Sequence, residues 1–101
     1  MSKPMSGKPP VDVVLGQFPR ALFAVAEYVQ QKSDDHGGMF GGRLRPGGAP
    51  MDEWRGSLAR HAVQTCAGQT DEPHDVALAF NALGYLESRL RTEERRKEPL
   101  V

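Results

Sequence analysis

The sequence predicts an all-α protein, and three observations carry that reading. Apolar residues recur at three- and four-residue spacing in three separate stretches. Pro19 suits a first helical turn and Gly68 a helix stop. No run of alternating apolar and polar residues long enough for a strand intervenes. At 101 residues the chain holds one domain. The expected architecture is a small bundle of three main helices with a long glycine-rich loop, completed by oligomerisation.

Residues 1–10 contain three prolines, two lysines and almost nothing to bury, and are expected to form a flexible arm. The run Val11-Asp12-Val13-Val14-Leu15 is apolar and short, so it fits either an extended lead-in or an early helical turn. Pro19 suits the first turn of a helix, where its missing N–H costs nothing, and that helix is predicted from about Phe18 to Ser33. Leu22, Val25, Ala26 and Val29 form its apolar stripe, with Phe23 and Tyr28 on either side. A helix apolar over so much of its circumference requires more than one neighbour, which points to self-association.

Between Asp34 and Pro50 stand three glycine pairs, Gly37-Gly38, Gly41-Gly42 and Gly47-Gly48. They lack the Lys-Ser/Thr ending of a phosphate loop and the preceding strand of a dinucleotide fingerprint. They read as a connector, or alternatively as a flap over a substrate. A second helix starts near Pro50 to Asp52, with Asp52 as a cap or first-turn acid and Trp54, Leu58, His61 and Thr65 at helical spacing. Gly68 stops it. After a turn, where Thr70 or Asp71 is a candidate cap, the third helix runs from about His74 to Arg91 or beyond. Its core stripe is expected to be Val76, Ala79, Phe80, Leu83, Leu86 and Leu90. His74, Leu78, Asn81 and Tyr85 lie on the opposite face, as a polar recognition surface. The domain is read as residues 11–91, followed by a charged tail over 92–101.

Lys+Arg and Asp+Glu both number 13, so there is no electrostatic footprint for duplex nucleic acid. No apolar run reaches the length of a membrane span, and no apolar signal-peptide core opens the chain. The single cysteine, Cys66, fits a reducing compartment, so a cytoplasmic location is expected. One cysteine without a distinctive setting and no Gly-x-Ser-x-Gly elbow argue against covalent catalysis. Structural zinc is also excluded, because there is no cysteine pair and no His-x-x-x-His helix.

What remains is a constellation across the second and third helices: Arg60-His61, Gly68, Asp71, Pro73-His74 and Asn81. His61 falls on the apolar stripe and is expected to point inward. It is either a satisfied core histidine or a proton-transfer group in a polar pocket. Asp71, Glu72 and Asp75 cluster at a helix N-terminus, where the dipole favours acids, and they also offer oxygen ligands of the kind magnesium takes. Asp34-Asp35-His36 places acids at a helix C-terminus, against the dipole, which fits a ligand or cation role or a solvated loop.

This frame resembles phage-associated proteins similar to the N-terminal domain of dATP/dGTP diphosphohydrolases, a MazG-like group. The matching residues are Pro10, Asp12, Val13 and Val14, the helix Pro19 to Lys32, the Trp54-led helix, and Arg60-His61, Gly68, Asp71, Pro73-His74, Ala77 and Asn81-Ala82-Leu83. The resemblance implies an all-α homo-oligomer, a dimer or tetramer. It implies hydrolysis of a purine deoxynucleoside triphosphate to the monophosphate and pyrophosphate with magnesium, or manganese. It implies His61 and His74 as catalytic, Lys32, Arg60, Asn81 and Tyr85 as substrate-binding, and Asp71 and Asp75 as metal-holding. Ala77 stands where the family has a second histidine. The Glu-x-x-Glu pair of MazG enzymes has no counterpart. That departure opens two further readings: a nucleotide-binding protein without turnover, and a small helical adaptor for a phage or host protein.

Overall fold

A computed structural model describes residues 7–35 and 49–97. Among the described residues there are four helices and no strand: α1 Val11–Gln17, α2 Pro19–Asp35, α3 Met51–Cys66 and α4 His74–Lys97. The all-α expectation holds, with one more helix than expected. The apolar run after Pro10 is the extra one, a seven-residue helix whose residues are all exposed. The glycine pairs and His36, and with them the connector-or-flap question, lie outside the described residues.

The boundaries follow from local chemistry. Pro19 opens α2, and the N–H of Leu22 bonds to the Phe18 carbonyl. Pro50 precedes α3 in an extended conformation with no side-chain cap, so Asp52 and Glu53 serve as first-turn acids. Gly68 ends α3 with a left-handed φ of +72°. Its N–H bonds to the Thr65 carbonyl, and that of Gln69 to the Gln64 carbonyl. This paired closure suits a glycine, which adopts positive φ without steric cost. The first carbonyl of α4 to take a helical bond is that of Pro73, from Ala77. The helix then runs on to Lys97, so residues 92–97 belong to α4 rather than to a frayed tail. Glu87–Arg91 and Arg89–Glu93 pairs at i,i+4 support that last stretch.

Most of the packing is between α3 and α4, with α2 laid chiefly on α4 and α1 touching α2. The two long helices run antiparallel, since Trp54 meets Phe80 and Gly84 while His61 meets His74. Trp54 is buried at 3% exposure and sits edge-on to Phe80 at 5.5 Å. Tyr28 brings α2 to the other side of Phe80, with ring centroids 5.7 Å apart.

The face of α4 turned inward is not the one its apolar pattern predicts. His74, Ala77 and Asn81 are buried, whereas Leu83, Leu86 and Leu90 are 53%, 42% and 46% exposed. The reason is steric. Trp54 lies so close to α4 that a Cβ at Gly84 would overlap its six-membered ring. Only a stripe of small and polar residues, one turn apart through Ala77, Asn81 and Gly84, admits that approach, and the leucines are turned away. A similar rotation affects α2, where Leu22 and Ala26 of the expected stripe are exposed and Val25, Tyr28, Val29 and Lys32 are half-buried.

Gly84→Ala tests this close approach. Alanine is the better helix former by about 1 kcal/mol in a helix interior, yet overpacking a filled site costs about 1–3 kcal/mol. The substitution is expected to lower the melting temperature by circular dichroism. An unchanged or higher value contradicts the tight Trp54–Gly84 packing.

Candidate functional site

The α3–α4 hairpin brings together His61 and His74, thirteen residues apart in sequence. The Nδ1 atoms of the two rings are 2.9 Å apart, with ring centroids separated by 5.2 Å. His61 is 8% exposed and His74 2%. On its far side, His74 Nε2 lies 2.8 Å from Asp71 Oδ1, and the Asp71 side chain is 73% exposed. A chain of three titratable groups thus runs from inside the hairpin to the surface. Local structure holds each member: the Gly68 turn returns the backbone so that Asp71 reaches the first residue of α4, and Pro73 starts that helix one residue before His74.

Hydrogen-bond accounting assigns the protons. Asp71 is a carboxylate at neutral pH and accepts only, so His74 donates from Nε2–H. If His74 carries one proton, its Nδ1 accepts and His61 donates to it from Nδ1–H. In that arrangement Nε2 of His61 keeps its lone pair. No hydrogen bond to this atom is formed among the described residues. Burial is the main force holding the His61 pKa below its ordinary value; the charge of Arg60 and the proximity of His74 add to this, and Glu72 opposes it. The hydrogen bond from His74 is the main cause that lowers the Asp71 carboxyl. The lowered pKa favours the neutral form of His61 at physiological pH.

His61 lines a small cavity of about 110 Å³ with Tyr28, Gln31, Lys32, Glu72, Pro73 and Ala77. Lys32 Nζ is 5.5 Å from the Tyr28 ring centre, a cation–π contact within α2. Beside it, a more open cleft of about 450 Å³ is bordered by Thr65, Gly68 and the turn Gln69 to Asp75. Glu72 and Pro73 border both spaces.

Of the residues singled out in the sequence, His61, His74 and Asp71 converge, and Lys32 joins His61 in the smaller cavity. Asn81 is buried on the α3 side of α4, and its Nδ2 donates to the Ala77 carbonyl at 2.7 Å rather than lining either cavity. Tyr85 is half-buried one turn further on, and Arg60 is exposed on α3. The expected polar recognition face of α4 is thus a buried helix–helix contact at His74 and Asn81. Asp75 Oδ1 accepts the N–H of Val76, and Asp71 is engaged by His74, so the two acids have separate tasks. Among the described residues, no group of three or more His, Cys, Asp or Glu side chains is placed to hold a metal ion. Gln31 was not singled out from the sequence, Tyr28 was named only beside the apolar stripe of its helix, and Glu72 only among the acids before the third helix. The i,i+4 spacing of Tyr28 and Lys32 is the one signal that places two cavity residues on a common face.

The chain matches no family model, no curated protein and no solved structure. Among the described residues, no helix is long and apolar enough to cross a membrane.

The lowered His61 pKa has a sign that can be worked through. In the unfolded chain a histidine takes its proton near pH 6.5, whereas in the folded protein His61 takes it at lower pH. Below about pH 6.5 the unfolded state therefore binds more protons, and stability falls as pH falls until the folded state is protonated as well. Asp71, also depressed, adds a further loss as pH drops below about 4. Melting temperatures measured from pH 8 to pH 5 are expected to be flat at the upper end and to decline toward pH 5. The decline should be shallower in H61Q. Equal slopes in the two proteins would remove His61 as its source.

Proposed function

We propose that this chain is a phosphoanhydride hydrolase of the nucleotide pool, acting on a purine deoxynucleoside triphosphate, with His61 as the base that activates water. The observation that carries the reading is a buried His61, its Nδ1 engaged by His74 and its pKa lowered, in a cavity that Lys32 also lines. A neutral imidazole beside a cation suits an attacking water on one side and a charged phosphoryl group on the other. A cavity of about 110 Å³ is below the range of about 300–1,000 Å³ usual for whole small-molecule ligands. It suits the phosphoryl end, and the remainder of a nucleotide extends toward the 450 Å³ cleft that shares Glu72 and Pro73 with it.

Within this reading His61 takes a proton from water as its oxygen attacks phosphorus, and Lys32 balances phosphate charge. Arg60, next to His61 on α3, adds positive potential at the approach. Magnesium is the ion that the family resemblance implies. Asp71 is bonded to His74 and Asp75 to the start of α4, and the described residues offer no converged ligand set, so no step is assigned to the ion. That same observation favours nucleotide binding without turnover as the second reading. The exposed Leu83, Leu86 and Leu90 support self-association, and equally a third role as a helical adaptor.

A thermal-shift series with each nucleoside triphosphate, with and without magnesium, separates these readings, because a ligand of the native state raises the melting temperature by mass action. A shift with purine deoxynucleotides accompanied by pyrophosphate release supports the hydrolase, and a shift without release supports the binding protein. No shift with any nucleotide rejects both.

Losing a general base costs about 10²–10⁴-fold in rate. His61→Gln is therefore expected to reduce kcat by that order with little change in KM, and retained kcat would remove His61 from the chemistry.

A further inference from the structure

We propose that Asp71 is a positioning residue that acts on His61 through His74, and that the three form a proton outlet from the small cavity to solvent. The inference rests on the reading of His61 as a base for its chemical use, and the proton arrangement rests on the geometry of the three groups with one proton on His74. His74 is 2% exposed, and its hydrogen-bond partners are Asp71 at Nε2 and His61 at Nδ1, with the Glu72 carboxylate 3.9 Å from Nδ1. Two nitrogens at 2.9 Å cannot both carry a proton and remain bonded, so one proton occupies that gap. Asp71, an acceptor 2.8 Å from Nε2, decides which ring supplies it. Without a carboxylate at Asp71, His74 loses the acceptor that holds its proton on Nε2, and the inverted arrangement, in which Nε2 of His61 carries the proton and is useless as a base, becomes accessible.

The transfer balances. A proton taken by His61 Nε2 releases the Nδ1 proton to His74 Nδ1, and His74 releases its Nε2 proton to the Asp71 carboxylate. One proton has then left the cavity, both rings remain neutral with their tautomers exchanged, and Asp71, 73% exposed, passes the proton to water. Reversal of the same steps returns a proton to His61 Nε2's partner oxygen on the leaving group and restores the starting tautomers. Lys32 and Arg60 disfavour a lasting imidazolium at His61, which gives such an outlet its purpose.

The test reads ring tautomers directly, by long-range proton–nitrogen NMR of ¹⁵N-histidine-labelled protein near pH 7.5, with resonances assigned from the H36Q and H61Q variants. The expected wild-type pattern is Nδ1–H at His61 and Nε2–H at His74. A hydrogen bond to a charged group is strong enough to bias the tautomers roughly tenfold or more. In Asp71→Ala, an exposed substitution, the His61 preference should fall toward equal populations while the circular dichroism spectrum is retained. Protonated Nε2 at His61 in the wild type overturns the arrangement. The expected wild-type pattern persisting unchanged in Asp71→Ala overturns the role of Asp71. Failure of nucleotide hydrolysis alongside the expected tautomers removes the proposed substrate and leaves the positioning inference intact.

Discussion

The close approach of Trp54 to α4 at Gly84 is the constraint on which the rest of the hairpin depends. A large ring against a residue without a side chain lets two helices come near, and it dictates which face of α4 is turned toward α3. Once Gly84 faces Trp54, helical periodicity brings Asn81, Ala77 and His74 onto the same line. Antiparallel register then places His74 opposite His61, about two turns along α3 from Trp54. The histidine contact is therefore a consequence of packing at the other end of the hairpin.

That arrangement leaves the hairpin interior unusually polar. Trp54 and Ala77 are its buried apolar residues among those described, while Ser57, His61, His74 and Asn81 of the same two helices are buried as well. Buried polar groups are tolerated when their hydrogen bonds are made. Here the rings bond each other and Asp71, and Asn81 bonds the Ala77 carbonyl. A polar interior of this kind stabilises less than packed leucine does, and the leucines of α4 remain outside it. This stretch sets its small-residue face against α3 and leaves Leu83, Leu86 and Leu90 exposed. The neutral state of His61 follows from the same burial, so packing and proton affinity are two results of one geometry.

Much of the fold was legible in the chain. Pro19, Pro50, Gly68 and Pro73 mark helix ends because proline and glycine act through their own backbone restrictions, independent of any neighbour. His61 was legible as inward-facing because it shares a stripe with Trp54 and Leu58 on an otherwise clear pattern. Convergence of Asp71, His74 and His61 was legible only as proximity along the chain, since a short turn must bring the ends of two helices together. The facing of α4 was not. Its leucine stripe is the stronger apolar signal, and nothing local says that a tryptophan thirty residues earlier needs a glycine opposite it.

By itself, then, the sequence determined the helical class, the starts of α2, α3 and α4, the turn at Gly68 and the set of residues from which a site is drawn, since each of these rests on intrinsic backbone preference and short-range spacing. Tertiary structure alone decided which face of α4 is buried. It also decided that Asn81 bonds its own helix instead of lining a cavity, that Tyr28 and Lys32 join His61, and that Asp71 is committed to a histidine. Those outcomes depend on how closely two helices approach, and that distance is fixed by the shapes of side chains far apart in sequence.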